Sequence, residues 1–370
     1  MPPAHPGHPP LRVLLVGHCR FPLRPPFTGG LESITWNLAT RLADRGHEVT
    51  VFAAEGTDCG PRVTVVTPED LGCHIRRDAT WEEARPDISA TFEALAAWIR
   101  RSDVQVVHNN SLNPTLPRLA RTLGRPLLTT LHTPLLEPME EAWRETPPRP
   151  GEVVAVSGAT AADWAEVVDA DVVLNGIDTD HWEQGPGGQG LVWFGRIVPE
   201  KGPHVAVEIA ADLGLPLHLA GPVSDEEYLE KVLRPAIAAS SGPGVEYHGH
   251  LDGSELPALV GGAGAALVTP QWDEPFGLVA AEAASTGTPV LALARGGLTE
   301  VVSPGIGRRL DPAGWRGDIR AAHAECLELD RSDVRAEAVE RFDLERVVDD
   351  YEARYRQLLE RARSTDEPGA

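Results

Sequence analysis

The residues best suited to chemistry lie between Ala265 and Glu300, in the stretch AALVTPQWDEPFGLVAAEAASTGTPVLALARGGLTE. Two carboxylates, Glu274 and Glu282, stand eight positions apart around Pro275-Phe276-Gly277. Each can accept hydrogen bonds from hydroxyl groups. The amides of Phe276, Gly277 and Leu278 open a helix, where N–H groups lack partners inside the helix and favour an anion. Hydroxyl acceptors beside a phosphate cradle suit a sugar diphosphate. Gly195-Arg196 and Glu200-Lys201-Gly202 add cations: an arginine can fork onto two phosphate oxygens, and a lysine supplies a mobile point charge. Lys201 is one of only two lysines in the chain. Cations so placed could neutralise negative charge developing on a bound diphosphate.

The elements around these residues explain how they would be held. Ala265–Val268 reads as a short buried strand, Leu278–Ser285 as an Ala-rich helix, and Pro289–Ala294 as a second strand. Gly287, with Pro289 just after it, marks the helix end. The unit is therefore βαβ, with Glu274 in the loop at the carboxyl end of a parallel sheet, where open α/β sheets bind ligands. The same alternation runs through the whole chain. Strands are expected at Arg12–His18, Glu48–Ala54, Val63–Thr67, Val104–Asn109, Pro126–His132, Glu152–Val156 and Asp171–Leu174, with helices between them such as Leu31–Asp44, Ile88–Arg101 and Pro114–Leu123. After a turn-rich linker through GPGGQG the pattern resets, with strands at Leu191–Gly195, Leu217–Ala220, Val245–Gly249 and the two already named. A last amphipathic helix starts at Leu344.

Composition is compatible with this plan. A chain of 370 residues with 42% hydrophobic residues suits two α/β domains with ample cores. No apolar run reaches membrane-spanning length. MPPAHPGHPP has neither a charged n-region nor an apolar h-region, so it reads as a disordered lead-in rather than a signal peptide. Four cysteines without CxxC pairing point to free thiols and a cytoplasmic protein. A net charge of −22 argues against nucleic acid, and the first 180 residues are acidic too, which favours a soluble acceptor over an anionic membrane surface. No H-E-x-x-H, Cys/His cluster or Walker A is present, and Asp178-Thr179-Asp180 is read as linker rather than a metal site. The sequence says nothing of oligomeric state.

The motif EPFG…E, followed by Gly-Thr-Pro-Val, Gly296-Gly297 and Glu300, resembles the E-x7-E signature and Gly-rich loop of the family-4 retaining glycosyltransferases. Gly195-Arg196 with Glu200-Lys201-Gly202 resembles that family's phosphate motif. The resemblance implies a GT-B fold, two Rossmann-like doubly wound domains facing across a cleft, with residues 1–180 on the acceptor side and 181–343 binding the nucleotide sugar. The helix 344–363 would return to the first domain, and 364–370 would form a disordered tail. It further implies metal-independent transfer with retention and a nucleotide-diphosphate sugar as co-substrate; because no carboxylate in the first domain stands out as a nucleophile, attack from the leaving-group face is expected. UDP-glucose is the default by family frequency, and the acceptor would be a soluble small molecule or glycan.

By the same resemblance Glu282 would bind ribose hydroxyls, Arg196 and Lys201 the diphosphate, and Glu274 with the Phe276–Leu278 backbone the sugar hydroxyls and phosphate. Thr28-Gly29-Gly30-Leu31-Glu32 is similar to the family's GGxE, so Gly30 would approach the donor and Glu32 the acceptor. His132, at a strand end in the family's "HT" context, would hydrogen-bond a sugar hydroxyl; a structural histidine is the alternative. His108 and Asn110 end the neighbouring strand and, with Arg20, fall on the acceptor side. Gly249 and His250 follow a strand and would line a nucleobase pocket. Two other functions are compatible with these residues: a GT-B-fold sugar-nucleotide epimerase and a non-catalytic sugar-nucleotide-binding module.

Overall fold

The computed structural model describes residues 9–76, 79–240, 242–251 and 253–366. It forms two compact units, Met1–Gly176 with Leu344–Ala370, and Ile177–Asp343. The sequence places this boundary near 180; in the structure Ile177 already belongs to unit 2, where its N–H donates to the Phe342 carbonyl at 2.7 Å. Most of the expected lead-in, through residue 8, lies outside the described residues, as do residues 367–370 of the expected tail. Residues 364–366 are not tail: the last helix runs Leu344–Asp366.

Among the described residues unit 1 holds seven parallel strands, β1 (Arg12–Val16), β2 (Glu48–Phe52), β3 (Val63–Val66), β4 (Val106–Asn109), β5 (Leu127–Leu131), β6 (Val153–Ala155) and β7 (Asp171–Val172). Their order across the sheet is β3-β2-β1-β4-β5-β6-β7. Val, Leu and Thr dominate the central strands, and β4 and β5 are buried at every position. That pattern belongs to parallel sheets covered by helices on both faces. The strand order reverses between β1 and β4, so the loops after these two strands diverge and leave a crevice at their carboxyl ends.

One face of this sheet is covered by the helices Gly30–Asp44 and Leu344–Asp366. From the latter Leu344, Val347, Val348, Tyr351, Tyr355 and Leu358 pack against Leu15, Leu38, Leu42 and Val106. Helix Trp81–Arg101 covers the other face through Phe92, Leu95 and Ile99. It starts a full turn and more before the expected Ile88, because Thr80 and Glu83 close a capping box; Pro86, inside the helix, masks this start in the sequence.

His108, expected on the acceptor side, is corrected by its burial. The ring is fully enclosed, with Nδ1 2.8 Å from the Tyr355 hydroxyl and Nε2 2.7 Å from Thr130 Oγ1. Desolvation holds its pKa down at about 3, so it is neutral and structural. Tyr355→Phe should leave Nδ1 without its partner and cost about 1–3 kcal/mol in denaturant unfolding. A change in unfolding midpoint within error would show that this pair contributes nothing.

Among the described residues unit 2 holds six parallel strands, β8 (Leu191–Phe194), β9 (Leu217–Ala220), β10 (Val245–Tyr247), β11 (Ala265–Val268), β12 (Val290–Leu293) and β13 (Gly307–Leu310), in the order β10-β9-β8-β11-β12-β13. The reversal here lies between β8 and β11. Strand β13 has no counterpart in the sequence reading: GRRL is an edge strand whose two central residues are arginines, so it lacks an apolar run.

Candidate active site

The loops leaving β8 and β11 meet at the switch point of unit 2. After β8, Gly195 adopts φ +147 and its N–H donates to the Ala220 carbonyl at 3.0 Å. Pro199–Lys201 then makes one 3-10 turn, and Gly202, at φ +63, starts the helix Pro203–Leu213. A side chain on Gly202 would overlap the Thr269 carbonyl of the facing loop. Thr269 laces the two loops: its hydroxyl donates to the Gly202 carbonyl at 2.8 Å and accepts from Trp193 Nε1 at 3.1 Å.

Lys201 and Glu274 come together here. Lys201 Nζ donates to Glu274 Oε1 at 2.8 Å and Oε2 at 2.7 Å, with side chains 24% and 13% exposed. Trp272 Nε1 donates to Glu274 Oε2 at 2.9 Å, and the Trp272 ring lies 5.2 Å from the ammonium. The sequence reading gave these two residues separate ligand groups; in the structure they hold one another. Trp272, unassigned in that reading, completes the cluster. Arg196 is held loosely, its guanidinium 3.8 Å from Glu200 on a half-exposed side chain.

The backbone of the Glu274 loop is fixed from behind by Gly296-Gly297. The Gly297 N–H donates to the Glu274 carbonyl at 2.6 Å, and a Cβ on Gly297 would stand 2.5 Å from the Pro275 carbonyl oxygen. Gly297→Ala should therefore lower stability by about 1–3 kcal/mol through overpacking, read from the shift in melting temperature. An unshifted melting curve would mean that the two loops part without cost.

Gly277 caps the helix Leu278–Ser285 at φ +98. Among the described residues the N–H groups of Phe276, Gly277 and Leu278 have no acceptor in the chain. Ala280, Ala281, Ala283 and Ala284 are fully buried, so the helix lies close against the sheet. Glu282 projects from the same helix with only part of its surface exposed. Its carboxylate has no hydrogen-bond or ion-pair partner among the described residues, and desolvation pushes its pKa up to about 7. An unpaired, partly buried carboxylate is unfavourable unless a ligand supplies donors.

Residues 28–181 match the family model described as Glycosyltransferase Family 4, and residues 182–331 match that of Glycosyl transferases group 1. Over 344 residues the chain is 36% identical to glycogen synthase of Mycobacterium tuberculosis, covering 80% of this chain and 81% of the relative. The chain belongs to glycosyltransferase family 4. This family-4 enzyme is also 29% identical to a D-inositol 3-phosphate glycosyltransferase of Geodermatophilus obscurus, over 88% of this chain and 84% of that one. Its fold matches the crystal structure of AviGT4, a glycosyltransferase involved in avilamycin A biosynthesis, with TM-score 0.70 and 25% identity over 95% of this chain and 98% of that one. The two parallel-sheet units are those of the GT-B fold.

In unit 1 of the glycosyltransferase, β5 delivers His132. Its Nε2 donates to Asn110 Oδ1 at 2.8 Å, from the loop after β4, and desolvation lowers its pKa to about 4. Nδ1 is thereby left as an acceptor. Asn110 is buried, and its Nδ2 has no partner among the described residues. Gly30 is the first residue of its helix, capped by extended Gly29. Glu32 is buried with its carboxylate beside the Gly29 backbone, so it faces its own helix end rather than outward as an acceptor contact. Arg20 donates to the Ala79 carbonyl and stacks over Trp81 at 4.6 Å. In unit 2, Gly249 sits at φ +72 with its carbonyl accepting from the Gly221 N–H, and His250 is exposed. No helix among the described residues is long and apolar enough to cross a membrane.

Proposed function

We propose that this glycosyltransferase moves a sugar, with retention and without a metal, from a nucleotide-diphosphate sugar to a soluble small-molecule or glycan acceptor. UDP-glucose is the working donor. The observation that carries this reading is the Glu282 carboxylate, unpartnered among the described residues, on the helix that the free amides of Phe276–Leu278 open, with the Lys201–Glu274–Trp272 cluster in the loop before it. Ribose hydroxyls would donate to Glu282. The diphosphate would take the free amides, Arg196 and Lys201, leaving Glu274 to receive sugar hydroxyls as the ammonium turns to phosphate. Arg196 and Lys201 supply the positive charge that a bound cation would otherwise bring to the leaving group. Gly30 and His132 keep the donor-side roles that the family resemblance implies, the neutral His132 ring offering a hydrogen bond to a sugar hydroxyl. The nucleophile approaches from the leaving-group face, and a donor phosphate oxygen accepts its proton.

The relatives named above act, by their names, on D-inositol 3-phosphate and in glycogen synthesis, so the acceptor class stays as broad as small molecule or glycan. Four free cysteines, three of them buried, fit a cytoplasmic enzyme. The test is proton NMR of the first product formed from UDP-glucose, which should carry the α anomer of the donor. A β product, or a glycosyl-enzyme adduct in the mass spectrum, would refute the mechanism.

A further inference from the structure

At the open edge of the unit 2 sheet, strand register brings together three metal-ligating side chains that the group-transfer reading does not use. Among the described residues strand β10 is the edge strand, paired with β9 alone, and its Glu246 is aligned with His218. In parallel strands aligned residues share a face, and residues two apart on one strand do so again. His248, two beyond Glu246, therefore falls on the same side as Glu246 and His218. The opposite side carries Leu217, Leu219, Val245 and Tyr247 into the hydrophobic core. The three polar side chains are thus excluded from the core and displayed together, 35%, 67% and 23% exposed in chain order.

Their donor atoms form a triangle of coordination size. His218 Nδ1 is 2.9 Å from His248 Nε2, and Glu246 Oε2 is 3.6 Å from the first and 3.8 Å from the second. A point equidistant from atoms so spaced lies about 2.0 Å from each, the length of a zinc–imidazole or zinc–carboxylate bond. We propose that His218, Glu246 and His248 bind a divalent transition-metal ion of the zinc type. Two imidazoles and one carboxylate match the preference of such ions, whereas magnesium and calcium favour all-oxygen sites. The hydrogen bond now joining the two rings shows that at least one of the facing nitrogens carries a proton. Movement of that proton to the far nitrogen of its ring frees both as ligands. Water would complete the coordination. The ion would clamp the three-residue strand β10 to β9 immediately before the Gly249-His250 turn, a structural role separate from sugar transfer.

The test is titration of chelator-treated full-length protein with zinc chloride by calorimetry, with melting temperature measured in parallel. One zinc per chain should bind saturably and raise the melting temperature, since a ligand of the folded state stabilises it. His218→Ala and His248→Ala should weaken binding at least about tenfold, because losing a direct ligand should cost no less than losing the residue behind one. Both sites are part-exposed, so the variants should keep the wild-type circular dichroism; should either unfold, Glu246→Gln gives the same comparison. Cobalt substituted for zinc should give visible absorption bands in the wild type that disappear in the variants. Equal zinc affinity in wild type and variants would overturn the assignment by placing the ion on other histidines. So would the absence of saturable binding.

Discussion

Lys201→Ala should lower kcat with UDP-glucose by about 10²–10³-fold, the loss typical of removing one group that stabilises developing charge. The structure makes this larger than the loss of a surface cation. Lys201 is one of two lysines, is three-quarters enclosed, and has both Glu274 oxygens within 2.8 Å. Its removal leaves the Glu274 carboxylate, among the described residues, with the Trp272 indole as its one side-chain partner, and strands a part-buried charge where a donor must bind. Glu274→Ala should therefore also be severe. The double variant should lose less than the product of the two single losses, because each single change strands the other's charge. Steady-state kinetics on the three variants decides this. A Lys201→Ala enzyme with unchanged kcat and only a raised KM would remove Lys201 from the bond-breaking step.

Glu282→Ala should weaken donor binding by about a hundredfold, equivalent to two hydrogen bonds to a charged acceptor at about 1.5 kcal/mol each. The same carboxylate gives the binding a pH signature. Its pKa is raised from 4.5 to about 7, and two ribose hydroxyls donate best to the ionised form. Affinity for UDP-glucose should rise with pH and level off above about 7, being roughly tenfold weaker near pH 6 than near pH 8. UDP-glucose is the proper probe because its phosphates do not titrate in this range. His132, with its pKa lowered to about 4, stays neutral throughout.

The stability of the unliganded protein carries the converse sign. Between about 4.5 and about 7 the folded state retains a proton on Glu282 that the unfolded chain has released, so this group's contribution falls as pH rises. Glu282→Gln should flatten both profiles. A pH-independent affinity in the wild type would mean that Glu282 does not receive the ribose.

Much of this site was legible because its information is local. The strand Ala265–Val268, the helix Leu278–Ser285 and the positive-φ Gly287 lie where apolar runs and a glycine after an Ala-rich segment place them. What was not legible depends on parts of the chain far apart in sequence. Lys201 and Glu274 are joined only because β8 and β11 are neighbours at a switch point. His108 resembles a site histidine by its place near a strand end; the tyrosines that make it a core residue lie in the last helix. His218, Glu246 and His248 form no linear motif at all, since strand register alone assembles them. The early start of helix Trp81–Arg101 was hidden for a different reason: a proline outweighed a capping box.

The two-piece make-up of unit 1 has a consequence for the order in which the protein matures on the ribosome. Unit 2 is continuous and can complete its core once Asp343 has emerged. Unit 1 begins first yet cannot finish, because Leu15, Leu38 and Val106 lack their cover until Leu344–Asp366 follows, and His108 lacks the Tyr355 hydroxyl. During synthesis the first-made part of unit 1 therefore carries an uncapped apolar sheet face while unit 2 closes, exposed to association until Leu344–Asp366 has been made.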